Sequence, residues 1–216
     1  MQRAFPNRAE AGRRLAERLT HYRGRDDAIV LGLPRGGVPV AYEVARRLGL
    51  PLDVFVVRKL GVPGYEELAM GAIASGNVSV LNEDVMRAVP NSAALLELVV
   101  AQEKLELDRR ETLYRQGRPA LDLRGRVVIL VDDGLATGAT MRAAADALRK
   151  QGVAKIVVAV PVGAPETCRE LEAEVDELIC AFAPEFFHGV GQFYEDFSQT
   201  TDDEVRETLA RTTQDE

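Results

Sequence analysis

The sequence predicts an α/β fold: a mostly parallel, open sheet with helices on both faces. Short runs of consecutive apolar, often β-branched residues alternate with stretches of helix length along most of the chain. Three of those runs end in glycine-rich or charged turns, the place where open parallel sheets carry their ligands. A length of 216 residues suits one domain with a substantial buried core.

Leu15, Ala16 and Leu19 give residues 9–22 an apolar stripe at helical spacing. Ala28-Ile-Val-Leu31 reads as a buried strand that runs into Gly32-Leu-Pro-Arg-Gly-Gly37. A helix is predicted over 38–48, stopped by Gly49 with Pro51 beyond. Residues 52–57 form the next strand and end at Arg58-Lys59. Residues 60–77 are rich in glycine and read as a flexible loop leading into a hairpin, with 70–74 and 78–81 as its apolar arms. A long charged helix spans 92–115, closed by Gly117 and Pro119. Strands at 126–131, 155–160 and 177–182 alternate with helices at 139–151 and 165–173. The stretch 181–203 departs from this alternation. Between Phe186 and Phe197 it sets five aromatics and His188 among glycines and acids, and it reads as a small hood over the core.

Composition narrows the function classes. Eight acidic residues and two arginines between Glu195 and Glu216 account for six of the seven net negative charges. The acidity therefore belongs to one end, the remainder is near neutral, and no basic nucleic-acid footprint is present. The opening Met1-Gln-Arg-Ala-Phe-Pro6 lacks the apolar core of a signal peptide, and no apolar run is long enough for a bilayer, so the expectation is cytoplasmic. Cys168 and Cys180 have no partner motif for zinc and are expected reduced and buried.

The chemistry concentrates in Val127-Val-Ile-Leu-Val-Asp-Asp-Gly-Leu-Ala-Thr-Gly-Ala-Thr140. Small residues expose backbone N–H groups, the next helix directs its positive end at the loop, and Thr137 and Thr140 add hydroxyls. This is a cradle for a phosphate monoester. It lacks the lysine of a Walker A loop. Asp132 and Asp133 would repel a phosphate, so they call for a vicinal diol or a bound cation at that point. A pentose 5-phosphate carries a diol and a phosphate together.

These residues resemble the phosphoribosyl-pyrophosphate signature of type I phosphoribosyltransferases, although that family usually has an aliphatic residue where Gly134 stands. The resemblance covers the core from about residue 28 to 182. It implies that Asp132 and Asp133 orient the ribose hydroxyls and favour a cationic ring, while Gly134, Leu135, Ala136, Thr137, Gly138, Ala139 and Thr140 hold the 5-phosphate. Leu33-Pro-Arg-Gly-Gly37 resembles the family's pyrophosphate loop, with Arg35, Gly36 and Gly37 as ligand contacts and a cis peptide expected at Pro34–Arg35. Arg58-Lys59 matches the basic pair that adenine and orotate enzymes use on pyrophosphate. Glu67 is the candidate carboxylate of the catalytic loop, with Glu66 beside it as the alternative.

The implied reaction displaces pyrophosphate from C1 of phosphoribosyl pyrophosphate by a nitrogen nucleophile, with Mg2+ on the pyrophosphate. Asp132 and Asp133 would meet the metal only indirectly, through the sugar phosphate or water. Hypoxanthine-guanine enzymes carry an aspartate where Ala136 stands; adenine-type enzymes carry alanine. Phe187 and Tyr194 of the hood are the candidates for stacking on a heterocyclic acceptor, or else belong to a satellite core. His188 is expected to be a hydrogen-bonded structural residue. Family members commonly pair, so a homodimer is expected. Two functions remain open at this stage: an active transferase, and a regulator of the same fold that binds phosphoribosyl pyrophosphate or a nucleotide without turnover. A synthase using ATP lacks a visible ATP motif.

Overall fold

The computed structural model describes residues 5–118 and 121–212, the side chains of Glu66 and Glu67 excepted. Helix α1 (Arg8–Arg18) leads to strand β1 (Ala28–Gly32), α2 (Gly37–Leu48) and β2 (Leu52–Val54). Strands β3 (Val57–Val62), β4 (Tyr65–Ala74) and β5 (Val78–Leu81) follow, then α3 (Glu83–Ala88) and α4 (Ser92–Arg115). The chain continues through β6 (Val127–Val131), α5 (Ala139–Lys150), β7 (Lys155–Val162), α6 (Pro165–Glu172), β8 (Glu177–Phe182) and α7 (Asp202–Thr212).

Five strands form a parallel sheet in the order β2-β1-β6-β7-β8. Side chains alternate between the faces of a strand, and here both faces are covered. Ala28 and Val30 of β1 and Val127, Ile129 and Val131 of β6 enter a core with α1, α2, α4 and α7. Ile29, Leu31, Val128 and Leu130 enter the opposite core, built with α5 and α6. This double burial is why the strands read as unbroken apolar runs. Among the described residues no helix is long and apolar enough to cross a membrane. Cys168 is buried and Cys180 half-buried, both as free thiols.

Three expectations are corrected. The helix over 9–22 ends at Arg18, and Thr20–Tyr22 makes a separate 3-10 turn. The single strand over 52–57 divides, because Phe55 N–H bonds to Gly32 O at 3.1 Å while Val56 N–H turns to Ser75 Oγ at 2.9 Å. Its second half opens a separate antiparallel sheet, β3-β4-β5. The flexible loop over 60–77 is therefore mostly strand. Its glycines serve the pairing: the register shifts at Gly61, and a side chain on Gly71 would collide with the carbonyl of Val80.

Helices α3 and α7 were not anticipated. Asn82 caps α3 by accepting from Val85 N–H. The start of α7 is a capping box: Thr201 Oγ1 accepts from Glu204 N–H, and Glu204 Oε2 accepts from Thr201 N–H at 2.7 Å. The acidic end of the chain is thus an ordered helix, with Val205 and Leu209 buried among residues of α2. Leu209→Ala is expected to cost about 2–4 kcal/mol. Urea unfolding should show this as a lower midpoint at unchanged slope; an unchanged midpoint would mean that α7 is not part of the core.

Candidate functional site

The site is built where β1 and β6, neighbours in the sheet, reach their carboxyl ends. Leu33 N–H bonds to Val131 O at 2.9 Å, so the turn after β1 starts locked to the end of β6. The Pro34–Arg35 peptide is cis, as the resemblance implied. At Gly36 a Cβ would overlap the carboxylate of Asp133, and at Gly37 it would lie 2.7 Å from Val131 O and 2.9 Å from Asp132 Cα. Both positions demand glycine because the loops touch. The 34–37 loop and the acidic pair thus form one surface.

Each carboxylate has one oxygen engaged within the protein. Asp132 Oδ1 accepts from Asp133 N–H at 2.8 Å, and Asp133 Oδ2 accepts from Arg8 Nε at 2.8 Å. Among the described residues the second oxygen of each has no hydrogen-bond donor. Two acceptors are left on consecutive residues, a set that a vicinal diol with two O–H donors would satisfy.

The loop after the pair is fixed at its middle. Leu135 is buried, its N–H bonds to Val162 O at 2.9 Å, and its carbonyl accepts from Ala164 N–H at 2.8 Å. Thr167 Oγ1 donates to Ala136 O at 2.6 Å, and Arg142 Nη1 donates to Thr137 O at 2.8 Å. Gly138 takes φ +75° and turns the chain into α5 at Ala139. With these carbonyls engaged, the N–H groups of Thr137, Gly138 and Thr140 find no acceptor among the described residues. They sit at the positive end of a twelve-residue helix, and Thr137, Ala139 and Thr140 are exposed. An anion fits there.

A family model described as the phosphoribosyl transferase domain matches residues 3–198. The chain belongs to the phosphoribosyl transferase family. Proteins of two Mycobacterium tuberculosis strains, both provisionally named phosphoribosyl transferase, are 49% identical over 207 residues. That match covers 96% of this chain but 46% of theirs, so the chain spans about half the length of these curated relatives. A Streptomyces coelicolor protein named bifunctional protein PyrR is 30% identical over 60% of this chain and 49% of its own. Among solved structures, TT1426 from Thermus thermophilus superposes with a TM-score of 0.86 at 44% identity, covering 98% of this chain and 99% of that one.

The remaining expected residues divide. Arg58 and Lys59 lie inside β3 rather than at a strand end, so as consecutive strand residues they face opposite ways. Arg58 is bound to Glu103 of α4 through Nε at 2.7 Å and Nη2 at 2.6 Å. Lys59 is exposed and lines a cavity of about 470 Å³ between the small sheet and α5, with Arg142 and Asp146 on its other wall. Arg35 sits 3.7 Å from Asp202 of α7, whose other contacts are Tyr114 and Arg109. The Glu67 and Glu66 side chains lie outside the described residues.

The hood is largely a satellite core. Tyr194 is buried, tilted against Phe5 and Phe197, and its hydroxyl donates to Asp133 O at 2.6 Å, so it is not available to stack on a ligand. Phe187 is half-buried and stacks on Phe193 at 5.7 Å between centroids. His188 is exposed, and no described residue bonds to its ring. Gly134 departs from the aliphatic residue usual in the family because a side chain there would strike Val190 of the hood. Arg8 is a site residue that sequence reasoning missed. Its only signal was a charged residue beside a helix start, and the pairing with Asp133 spans 125 residues.

Burial pushes the Asp132 carboxyl well above the usual carboxylate range, and the charge of Asp133 pushes it further. Asp133 is also raised by burial, with Arg8 opposing the shift. A carboxyl whose folded pKa is raised carries no penalty below its unfolded value of about 4, and the penalty grows as pH rises above it. Asp132→Asn, which keeps an acceptor for Asp133 N–H, is therefore expected to raise the melting temperature of the ligand-free protein at neutral pH by roughly 2–8 °C. The gain should vanish near pH ~3.5. Calorimetry across pH checks this; a lower melting temperature at neutral pH would contradict it.

Proposed function

We propose that the chain transfers the 5-phosphoribosyl group of phosphoribosyl pyrophosphate to a nitrogen of a small heterocyclic acceptor, releasing pyrophosphate. The observation that carries this reading is the adjacency of two kinds of group at the carboxyl end of one central strand. Unpartnered aspartate oxygens suited to a diol stand beside helix-terminal N–H groups suited to a phosphate. Asp132 and Asp133 would hold the ribose hydroxyls and, as anions in a partly buried site, favour the positive charge that develops at C1. The loop from Gly134 to Thr140 would hold the 5-phosphate, and Gly36 and Gly37 would let the ligand approach the backbone after β1. Arg35 and Lys59 would stabilise charge on the departing pyrophosphate, with Arg58 contributing if it exchanges Glu103 for the ligand.

Among the described residues no three His, Cys, Asp or Glu side chains come together as a metal cage. A magnesium ion would be carried mainly by the pyrophosphate oxygens, with Asp132 and Asp133 reaching it only through ribose hydroxyls or water. Bound there, the ion would supply Lewis-acid stabilisation of the leaving group. On the acceptor side, Phe187 is the aromatic candidate, and Ala136 gives no carboxylate to the base. The homodimer suggested by the family remains part of the reading.

A second reading has an observation in its favour. Arg58 is tied to Glu103 and Arg35 lies against Asp202, so these two cations meant for pyrophosphate are engaged elsewhere. A sensor that binds phosphoribosyl pyrophosphate without turnover would need the cradle but not those cations. Pyrophosphate release from protein, magnesium, phosphoribosyl pyrophosphate and a panel of bases separates the two. The transferase reading expects release with at least one base and a loss of about tenfold or more in Asp133→Asn, equivalent to ~1.4 kcal/mol. Tight binding without release for every acceptor would favour the sensor.

Lys59 and Arg58 should also part company. Lys59→Ala is expected to lower turnover at least ~tenfold, measured beside its melting temperature. Arg58→Ala is expected to destabilise by about 1–3 kcal/mol, because it strands Glu103, whose side chain is only 19% exposed. Equal effects of the two substitutions on both measurements would contradict the division of roles drawn from β3.

A further inference from the structure

Arg8 joins the acidic pair to the hood through side-chain contacts, beside the bond from Tyr194 to the Asp133 carbonyl. Three backbone bonds lace the N-terminal stretch to the hood: Phe5 N–H to Phe193 O at 3.0 Å, Glu195 N–H to Phe5 O at 2.9 Å and Asp196 N–H to Pro6 O at 2.9 Å. Asn7 then caps α1 by accepting from Glu10 N–H, which makes Arg8 the first helical residue. The guanidinium is held at three points. It lies over the Phe197 ring, 4.1 Å from the centroid; Nη1 donates to Ser198 O at 2.7 Å; and Nε donates to Asp133 Oδ2 at 2.8 Å. Its side chain is 12% exposed and that of Asp133 15%, so the contact is shielded from water.

We infer that Arg8 is a positioning residue for the sugar site, fixing Asp133 so that one oxygen faces the ligand, and that it ties this grip to the hood. The inference rests on the phosphoribosyl reading above. Without Arg8 the Asp133 side chain could turn either oxygen, or neither, toward a diol. A Cβ on Gly36 would overlap Asp133 Oδ2 and come within 3.2 Å of Arg8 Nε, so the bare glycine leaves the space that this contact occupies. The hood end of the contact, Phe197 and Ser198, continues the segment that carries Phe193, against which Phe187 stacks. A ligand that pulls on Asp133 therefore loads the same guanidinium that holds the hood. Sugar phosphate binding should tighten the hood, and an acceptor beneath the hood should tighten the sugar grip, as reciprocal coupling requires.

Arginine and lysine separate these roles, because a lysine can supply one charge to Asp133 but cannot reach Ser198 and cover Phe197 in the same pose. Ribose 5-phosphate affinity is measured by calorimetry on the full chain for the wild type, Arg8→Gln and Arg8→Lys, with melting temperatures as the fold control. Hydrogen exchange over residues 189–198 is followed with and without the sugar phosphate. Arg8→Gln is expected to weaken binding at least ~tenfold, and Arg8→Lys to recover to within about threefold of wild type. Added ribose 5-phosphate should slow exchange in the hood of the wild type but not in Arg8→Lys. Equal affinity in wild type and Arg8→Gln would overturn the positioning role. Equal losses in both variants, tracking a drop in melting temperature, would reduce Arg8 to a structural staple and overturn it as well. A wild-type protein that binds no ribose 5-phosphate would instead refute the phosphoribosyl reading, and the inference with it.

Discussion

Two carboxylates on consecutive residues, set into a partly buried crevice at the end of a central strand, impose most of what surrounds them. Like charges so close raise the free energy of the ligand-free fold, and burial raises it further. Around Asp132 and Asp133 the molecule supplies what that strain requires. Asp133 N–H bonds back to Asp132, Arg8 comes from α1 to Asp133, and Gly36 and Gly37 leave the room that any side chain would take. Tyr194 spends its hydroxyl on the carbonyl of Asp133 and pins the backbone from the hood side. A buried pair of like charges at the end of a central strand is costly in a ligand-free fold, and that cost gives the acidic pair its weight as a functional mark.

Topology turns that pair into a pocket. Because β1 and β6 are neighbours although about a hundred residues apart in sequence, the loops that leave them must share one crevice. Parallel pairing sends both loops out at the same end, and the helices that follow, α2 and α5, both point their positive ends there. Leu135, held by Val162 at the end of β7 and by Ala164 just before α6, carries the same crevice one strand further. The hood, the N-terminal stretch and α7 then close around it, each through a contact with the 34–37 loop or the acidic pair.

Local pattern made the central sheet legible, since strands buried on both faces must be apolar at every position, as in Val127-Val-Ile-Leu-Val131. The signature loop was equally legible, because its chemistry is contiguous. What escaped depends on partners far along the chain. The glycines of 60–77 suggested a loop, yet Gly71 is there because β5 passes too close for a side chain. Arg58 and Lys59 looked like one basic patch until strand alternation set them on opposite faces, one of them against Glu103. Tyr194 read equally as a stacking platform or as part of a satellite core, and its burial among Phe5, Phe193 and Val162 favours the core. The helix at the acidic end did announce itself, in the Thr201-Asp-Asp-Glu204 capping box, but net charge drew attention away from it.

The central claim is that one crevice grips a pentose by its neighbouring hydroxyls at the acidic pair and by its phosphate at the threonine-bearing turn. A crystal structure of the protein with ribose 5-phosphate tests it most directly. The account predicts the 2- and 3-hydroxyls within hydrogen-bond reach of the second oxygens of Asp132 and Asp133, and the phosphate on the N–H groups of Thr137, Gly138 and Thr140. A sugar bound elsewhere, or a phosphate seated away from that turn, would contradict it.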